Sequence, residues 1–280
     1  MFIRVFLIAA LAMVVGGFGL CPDPLTAAYA APSSAPSLWD VVAPTSIQLS
    51  DEAYTKQLAL CDFGCDWFAP YQPVYHTQGG TEMVRGFLGT PAFLSRSLIL
   101  EADIGTEGGS NDWMSLTGEF AFTRRLQLNA TLPMNLGDGE IPFGSVGGRA
   151  LLFDTGDLLV STDLDITFNS STVDVTPTIN AWYDIGEYFA VQTTIGGRFL
   201  EDYEDQFLWV GGVSRSFALG TTGRWDAILE GGYMDNNWVT SLGVVKPLEF
   251  LTPDLDVRTG VIWDWDDETL TVNIGLNYRF

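Results

Sequence analysis

Few residues in this chain are equipped for chemistry. There is one histidine, His76, and there are three cysteines. Catalysis through a serine needs a base held beside it. His76 precedes the patterned part of the chain, and no G-x-S-x-G stretch frames a serine. Carboxylates are plentiful: 35 Asp and Glu stand against 13 Lys and Arg, a formal charge of −22. Asp163 and Asp165 are two positions apart, so on a strand both point to one side, as paired acid–base groups must. The same placement suits acids that face arginines in a charge network. That reading is adopted, and the chain is taken as a non-enzyme.

Cys61 and Cys65, in "CDFGC", are the other candidates. Zinc would need two further ligands, and one histidine does not supply them. Neither a metal nor a cofactor is expected. In an oxidising compartment the pair is a candidate local disulfide; otherwise both remain thiols. The acid excess opposes duplex nucleic acid as a partner and opposes a polybasic membrane anchor.

The compartment is read from the N-terminus. Arg4 precedes an apolar run from Val5 to Val15, and Ala28 and Ala30 form an A-x-A pattern. Residues 1–30 thus read as a secretory signal peptide. Residues 31–93 are unlike the rest of the chain. "APSSAPS" is a loose polar start, Ser50 is a candidate cap for a short helix at 51–60, and "FAPYQPVYHTQGG" carries residues that oppose long strands. This segment is expected to be a periplasmic extension or a plug for the domain after it.

From residue 94 to 280 the pattern is one of period two. In "LTVNIGLNYRF", Leu270, Val272, Ile274, Leu276, Tyr278 and Phe280 alternate with Thr271, Asn273, Gly275, Asn277 and Arg279. Twelve such stretches are counted: 95–105, 112–123, 125–136, 144–154, 157–169, 172–184, 187–200, 205–218, 223–234, 237–247, 254–264 and 268–280. Lengths of about ten residues suit tilted membrane strands, and an even count places both chain ends on one side. The eighth stretch, "FLWVGGVSRSF", supports either register, with a bulge at its glycines as one resolution. Connections alternate in character. "TRR", "TGD", "DIGE", "LGTTG" and "EFLTPD" are compact, whereas those after odd-numbered strands gather acids such as Glu201, Asp202, Glu204, Asp205, Asp264, Asp266, Asp267 and Glu268. Those acids are read as solvated loop tips, the alternative being cation bridging to lipopolysaccharide.

The expected fold is an all-β, antiparallel transmembrane barrel of about twelve strands. Its lumen is expected to be lined by Glu101, Asp103, Glu119, Arg149, Asp163, Asp165, Arg198, Asp226, Glu230, Asp256, Arg258 and Arg279. Trp113, Trp225, Trp238, Trp263, Tyr278 and Phe280 sit near strand ends and are assigned to aromatic girdles.

The terminal Tyr278-Arg279-Phe280 resembles the sorting signal of bacterial outer-membrane barrels. The resemblance implies that Tyr278 and Phe280 address the chain to the barrel-assembly machinery. More narrowly, "TRRLQLNATLPMN" followed by "GSVGGRALLFDTGDLLVSTDLDITF" resembles the outer-membrane family linked to the phenol-degradation meta pathway. That resemblance covers residues 94–280 and implies a channel for small molecules, hydrophobic or aromatic ones included. The alternative is a non-conducting barrel with a structural or surface role. Expected partners are outer-membrane lipid, lipopolysaccharide and a small solute.

Overall fold

The computed structural model describes residues 67, 69–74, 81–106, 112–137, 139–141, 143–169, 172–186, 188–200, 204–219, 223–248, 251–252 and 254–280. The signal peptide, the 51–60 helix, Cys61, Cys65 and His76 lie outside the described residues. A compact body runs from Pro70 to Phe280. It therefore takes in the described residues 70–74 and 81–93, which the sequence pattern grouped with the extension.

Alternation produces twelve strands: β1 (Arg96–Gly105), β2 (Trp113–Ala121), β3 (Leu126–Asn135), β4 (Phe143–Asp154), β5 (Leu158–Asn169), β6 (Val173–Gly186), β7 (Phe189–Arg198), β8 (Gln206–Ala218), β9 (Arg224–Met234), β10 (Asn237–Pro247), β11 (Leu255–Asp264) and β12 (Thr269–Arg279). Each pairs antiparallel with its neighbour in sequence. β1 then pairs with β12, Ser97 opposite Arg279, and the sheet closes on itself. Closure leaves no unpaired edge, which a sheet in hydrocarbon requires.

Local chemistry sets the turns. Asp235 and Asn236 both have positive φ (52° and 67°), the twist a two-residue hairpin needs between β9 and β10. Between β4 and β5, Gly156 adopts φ 87° and donates its N–H to Asp154 Oδ1 at 2.8 Å.

One face of every strand points outward and is apolar. Leu98, Leu100, Leu128, Leu132, Ile179, Ile195, Leu229, Leu242 and Ile274 are all exposed there. In water this belt would be costly; in a bilayer it is the correct surface. Trp238, Tyr278 and Phe280 are exposed with it. Trp113 is a correction to the girdle assignment. It pairs with Asp103 and Asn135 on the inner face and packs 6.1 Å from Phe143.

β8 also departs from expectation. Its pairing with β7 and β9 is unbroken through Gly211 and Gly212. The register shifts occur instead at Leu151/Phe153 and at Asp184/Gly186. The glycine serves an approach rather than a bulge: a Cβ on Gly212 would lie 2.6 Å from Glu230 Cγ.

Candidate functional site in the lumen

The inner face of the barrel is charged, and part of it is occupied by the chain itself. Residues 81–95 enter at the end where Ser97 faces Arg279, rise to mid-height and return to begin β1. Near the entrance, Thr81 donates to Asp184 at 3.1 Å and Glu82 pairs with Arg279 at 3.2 Å and with Arg224. At the tip the loop meets Glu230 on β9. The Glu230 carboxylate accepts the backbone N–H groups of Phe87 (2.6 Å), Leu88 (2.9 Å) and Gly89 (3.2 Å). Gln192 Nε2 and Ser241 Oγ donate to the same carboxylate at 2.9 and 3.0 Å. A buried charge needs such a ring of donors, and a backbone turn inside a barrel needs such an acceptor.

The remaining loop contacts obey the same logic. Thr90 N–H donates to Thr194 Oγ1 at 3.0 Å, and Arg258 donates to the Gly86 carbonyl at 2.6 Å. Arg85 pairs with Glu119 at 2.6 Å, and Arg149 donates to the Phe93 carbonyl at 2.8 Å. Ser95 N–H donates to Gln127 at 2.7 Å, while its hydroxyl donates to Glu119. Met83, Ala92 and Leu94 pack on Ala121, Leu151, Leu159, Trp182 and Ala190, forming an apolar core inside the barrel.

All twelve acids and arginines singled out by sequence share the inner face, each in a defined partnership. Arg149 pairs with Asp163 at 2.7 Å, and Asn180 donates to the same oxygen at 2.9 Å. Arg258 pairs with Glu101 at 3.0 Å, and Arg279 with Asp256 at 3.0 Å. Asp226 receives Arg224 at 2.9 Å and the Ser216 hydroxyl. Toward the opposite end, Asn273 donates to Asp103 and Asn129 to Asp165, both at 2.7 Å. Arg198 lies at that rim between Asp174 (3.4 Å) and Asp235 (3.2 Å). The Asp163/Asp165 pair is thus divided between an arginine and an amide rather than set out as an acid and a base. Among the described residues no three His, Cys, Asp or Glu side chains gather as a metal would need.

Sequence reasoning missed Glu82, Arg85, Phe87 and Arg224. The first three lie in a stretch without alternation, "TEMVRGFLGT", whose one visible signal is a lone acid and a lone arginine amid apolar and glycine residues. Beside the loop a cavity of about 50 Å³ remains, lined among others by Glu82, Arg85, Asp226, Asp256, Arg258 and Arg279.

A closed antiparallel sheet with an apolar exterior and a charged interior defines a transmembrane β-barrel. The sequence matches no protein-family model and no curated protein. Solved structures similar in shape include the KdgM porin (10% identity, TM-score 0.49, covering 66% of this chain and 99% of that one). They also include the NanC porin (10%, 0.47, 65% and 100%) and the Acinetobacter baumannii outer membrane protein Omp33 (12%, 0.40, 67% and 98%). At these identities and TM-scores the likeness assigns no activity to this chain.

Proposed function

We propose that the protein is a bacterial outer-membrane channel for small molecules, held shut in the observed state by residues 81–95. One observation carries the reading. The interior is built from hydrogen-bonding and charged groups around a loop whose three successive tip amides converge on one carboxylate, Glu230. A barrel serving only as a wall needs no interior of this kind, since an apolar filling is at least as stable as buried ion pairs. Export and placement rest on the N-terminal A-x-A pattern and on the exposed Tyr278 and Phe280, which we assign to the assembly machinery. Hydrophobic or aromatic solutes are the finer reading. It rests on the resemblance to the phenol-degradation family.

A second reading has its own support. The free cavity beside the loop is only about 50 Å³, the size of a few water molecules. So little free space suits a permanently closed barrel with a structural role.

Single-channel conductance in planar bilayers separates the two. The proteins to compare are the refolded wild type, Glu230→Ala and Gly86→Leu. The first variant deletes the acceptor; the second pushes the loop away, because a Cβ on Gly86 would overlap the Glu230 carboxylate. Conductance steps in either variant, larger or more frequent than in the wild type, support the channel. Silence from all three, with folding shown by heat-modifiable gel mobility, selects the structural role.

A further inference from the structure

Resting on the channel reading, we infer that solutes pass along one flank of the loop only, between it and β10–β12, and that Phe87 sets the size of what passes. The loop has two unlike flanks. Toward β2 and β4–β7 it is sealed: Met83, Ala92 and Leu94 meet Leu151, Leu159 and Trp182 in an apolar contact, and Trp182 is only 1% exposed. Polar groups of this flank such as Arg149, Asp163 and Asn180 are at most 2% exposed and bonded to one another. Toward β9–β12 and β1 the loop faces the cavity that Arg258, Arg279, Asp226 and Asp256 line. On this flank a polar or hydrated molecule finds open space beside hydrogen-bonding side chains.

Phe87 stands over that cavity. Its ring lies on Gly243 and Gly260, which face each other across β10 and β11. They form the inward step next above Val245 and Arg258, which line the cavity. A methyl on Gly243 would overlap the ring, and one on Gly260 would lie 2.9 Å from it. The Arg258 guanidinium sits 4.3 Å from the ring centroid. The next inward residue beside Gly260 is Asn273, bonded to Asp103. A continuous series therefore runs from the Asp103–Asn273 pair, through a slot floored by two glycines and filled by one ring, into the arginine-lined cavity. The loop backbone is fastened at Glu230, but the ring is held by packing and one cation contact. Rotation of that side chain opens the slot without breaking a backbone hydrogen bond. The two glycines leave room for the ring now and for a solute when the ring turns away.

Bilayer conductance, and swelling of proteoliposomes in neutral polyols of graded size, test the assignment. The variants are Phe87→Ala, Phe87→Leu and Phe87→Trp, with Leu159→Ala opening space on the sealed flank. Conductance several-fold above wild type in Phe87→Ala, an intermediate rise in Phe87→Leu, a fall in Phe87→Trp and no rise in Leu159→Ala are expected. The swelling cut-off moves to larger polyols in the same order. If Phe87→Ala and Phe87→Leu match the wild type while Glu230→Ala or Gly86→Leu conducts, the route lies elsewhere and the channel reading stands. An equal rise in Leu159→Ala overturns the one-sided route. Silence from every variant overturns both readings.

Discussion

Replacing Glu230 by alanine is the sharpest test of how the loop is held. The carboxylate accepts three backbone N–H groups, at 2.6, 2.9 and 3.2 Å. Hydrogen bonds to a charged group contribute about 1.5–3 kcal/mol each. At the low end the three contribute about 4–5 kcal/mol to the seated loop, roughly a thousandfold in the ratio of seated to released forms. The substitution does not touch the bonds from Thr90 to Thr194 and from Arg258 to Gly86. Loss is therefore confined to the tip and to the Gln192 and Ser241 side chains that share the carboxylate, and the barrel stays folded. Amide hydrogen exchange in lipid nanodiscs, read by mass spectrometry over residues 86–90, measures the effect directly. Exchange of the Phe87, Leu88 and Gly89 amides is expected to accelerate by about two to three powers of ten, with the strands unchanged. Unaltered protection at those three amides would show that packing, not Glu230, seats the loop, and the reasoning would fail.

Three further outcomes are expected. Arg149→Met strands the fully buried Asp163 carboxylate and lowers stability by about 3–5 kcal/mol, whereas adding Asp163→Leu restores most of the loss; denaturant midpoints in detergent micelles report both. Trp182→Ala, at a site 1% exposed between loop and wall, costs about 3–5 kcal/mol, seen as a lower thermal-unfolding temperature on heat-modifiability gels. Leu242→Arg, on the outer face at mid-strand and 57% exposed, costs about 2–4 kcal/mol in bilayers; equal stability of this variant and the wild type in lipid vesicles would deny that the outer belt meets hydrocarbon.

The wall of the barrel was legible in the sequence because its signal is local. Each strand carries its own alternation, so Leu164 outward and Asp163 inward can be read from adjacent letters. The register of β8 was not legible. Val210, Ser214 and Ser216 face inward, but Phe207, Trp209 and Phe217 are no more apolar in pattern than a core-facing set would be. Trp113 misled because aromatic residues near strand ends serve either face, and only its pairing with Asp103 decides. The candidate site divides the same way. Alternation placed Glu230 on the inner face, but its partners Phe87 and Leu88 lie 143 and 142 positions away. Backbone donors have no residue identity, so nothing in "RGFLG" marks them as ligands of a carboxylate.

The closing pair of strands bears on how such a molecule comes together. Residues 81–95 precede β1, while their anchor sits on β9 and the seam is sealed by β12. Synthesis therefore delivers the filling before the container. The loop enters and leaves by one end, so nothing must be threaded through a finished ring. A growing sheet can curl around a segment already present, with Glu119 of β2 and then Arg149 of β4 supplying early points of adhesion to Arg85 and to the Phe93 carbonyl. In that order the inserted segment is placed to serve as a mandrel, while the twelve strands and their stagger fix the circumference.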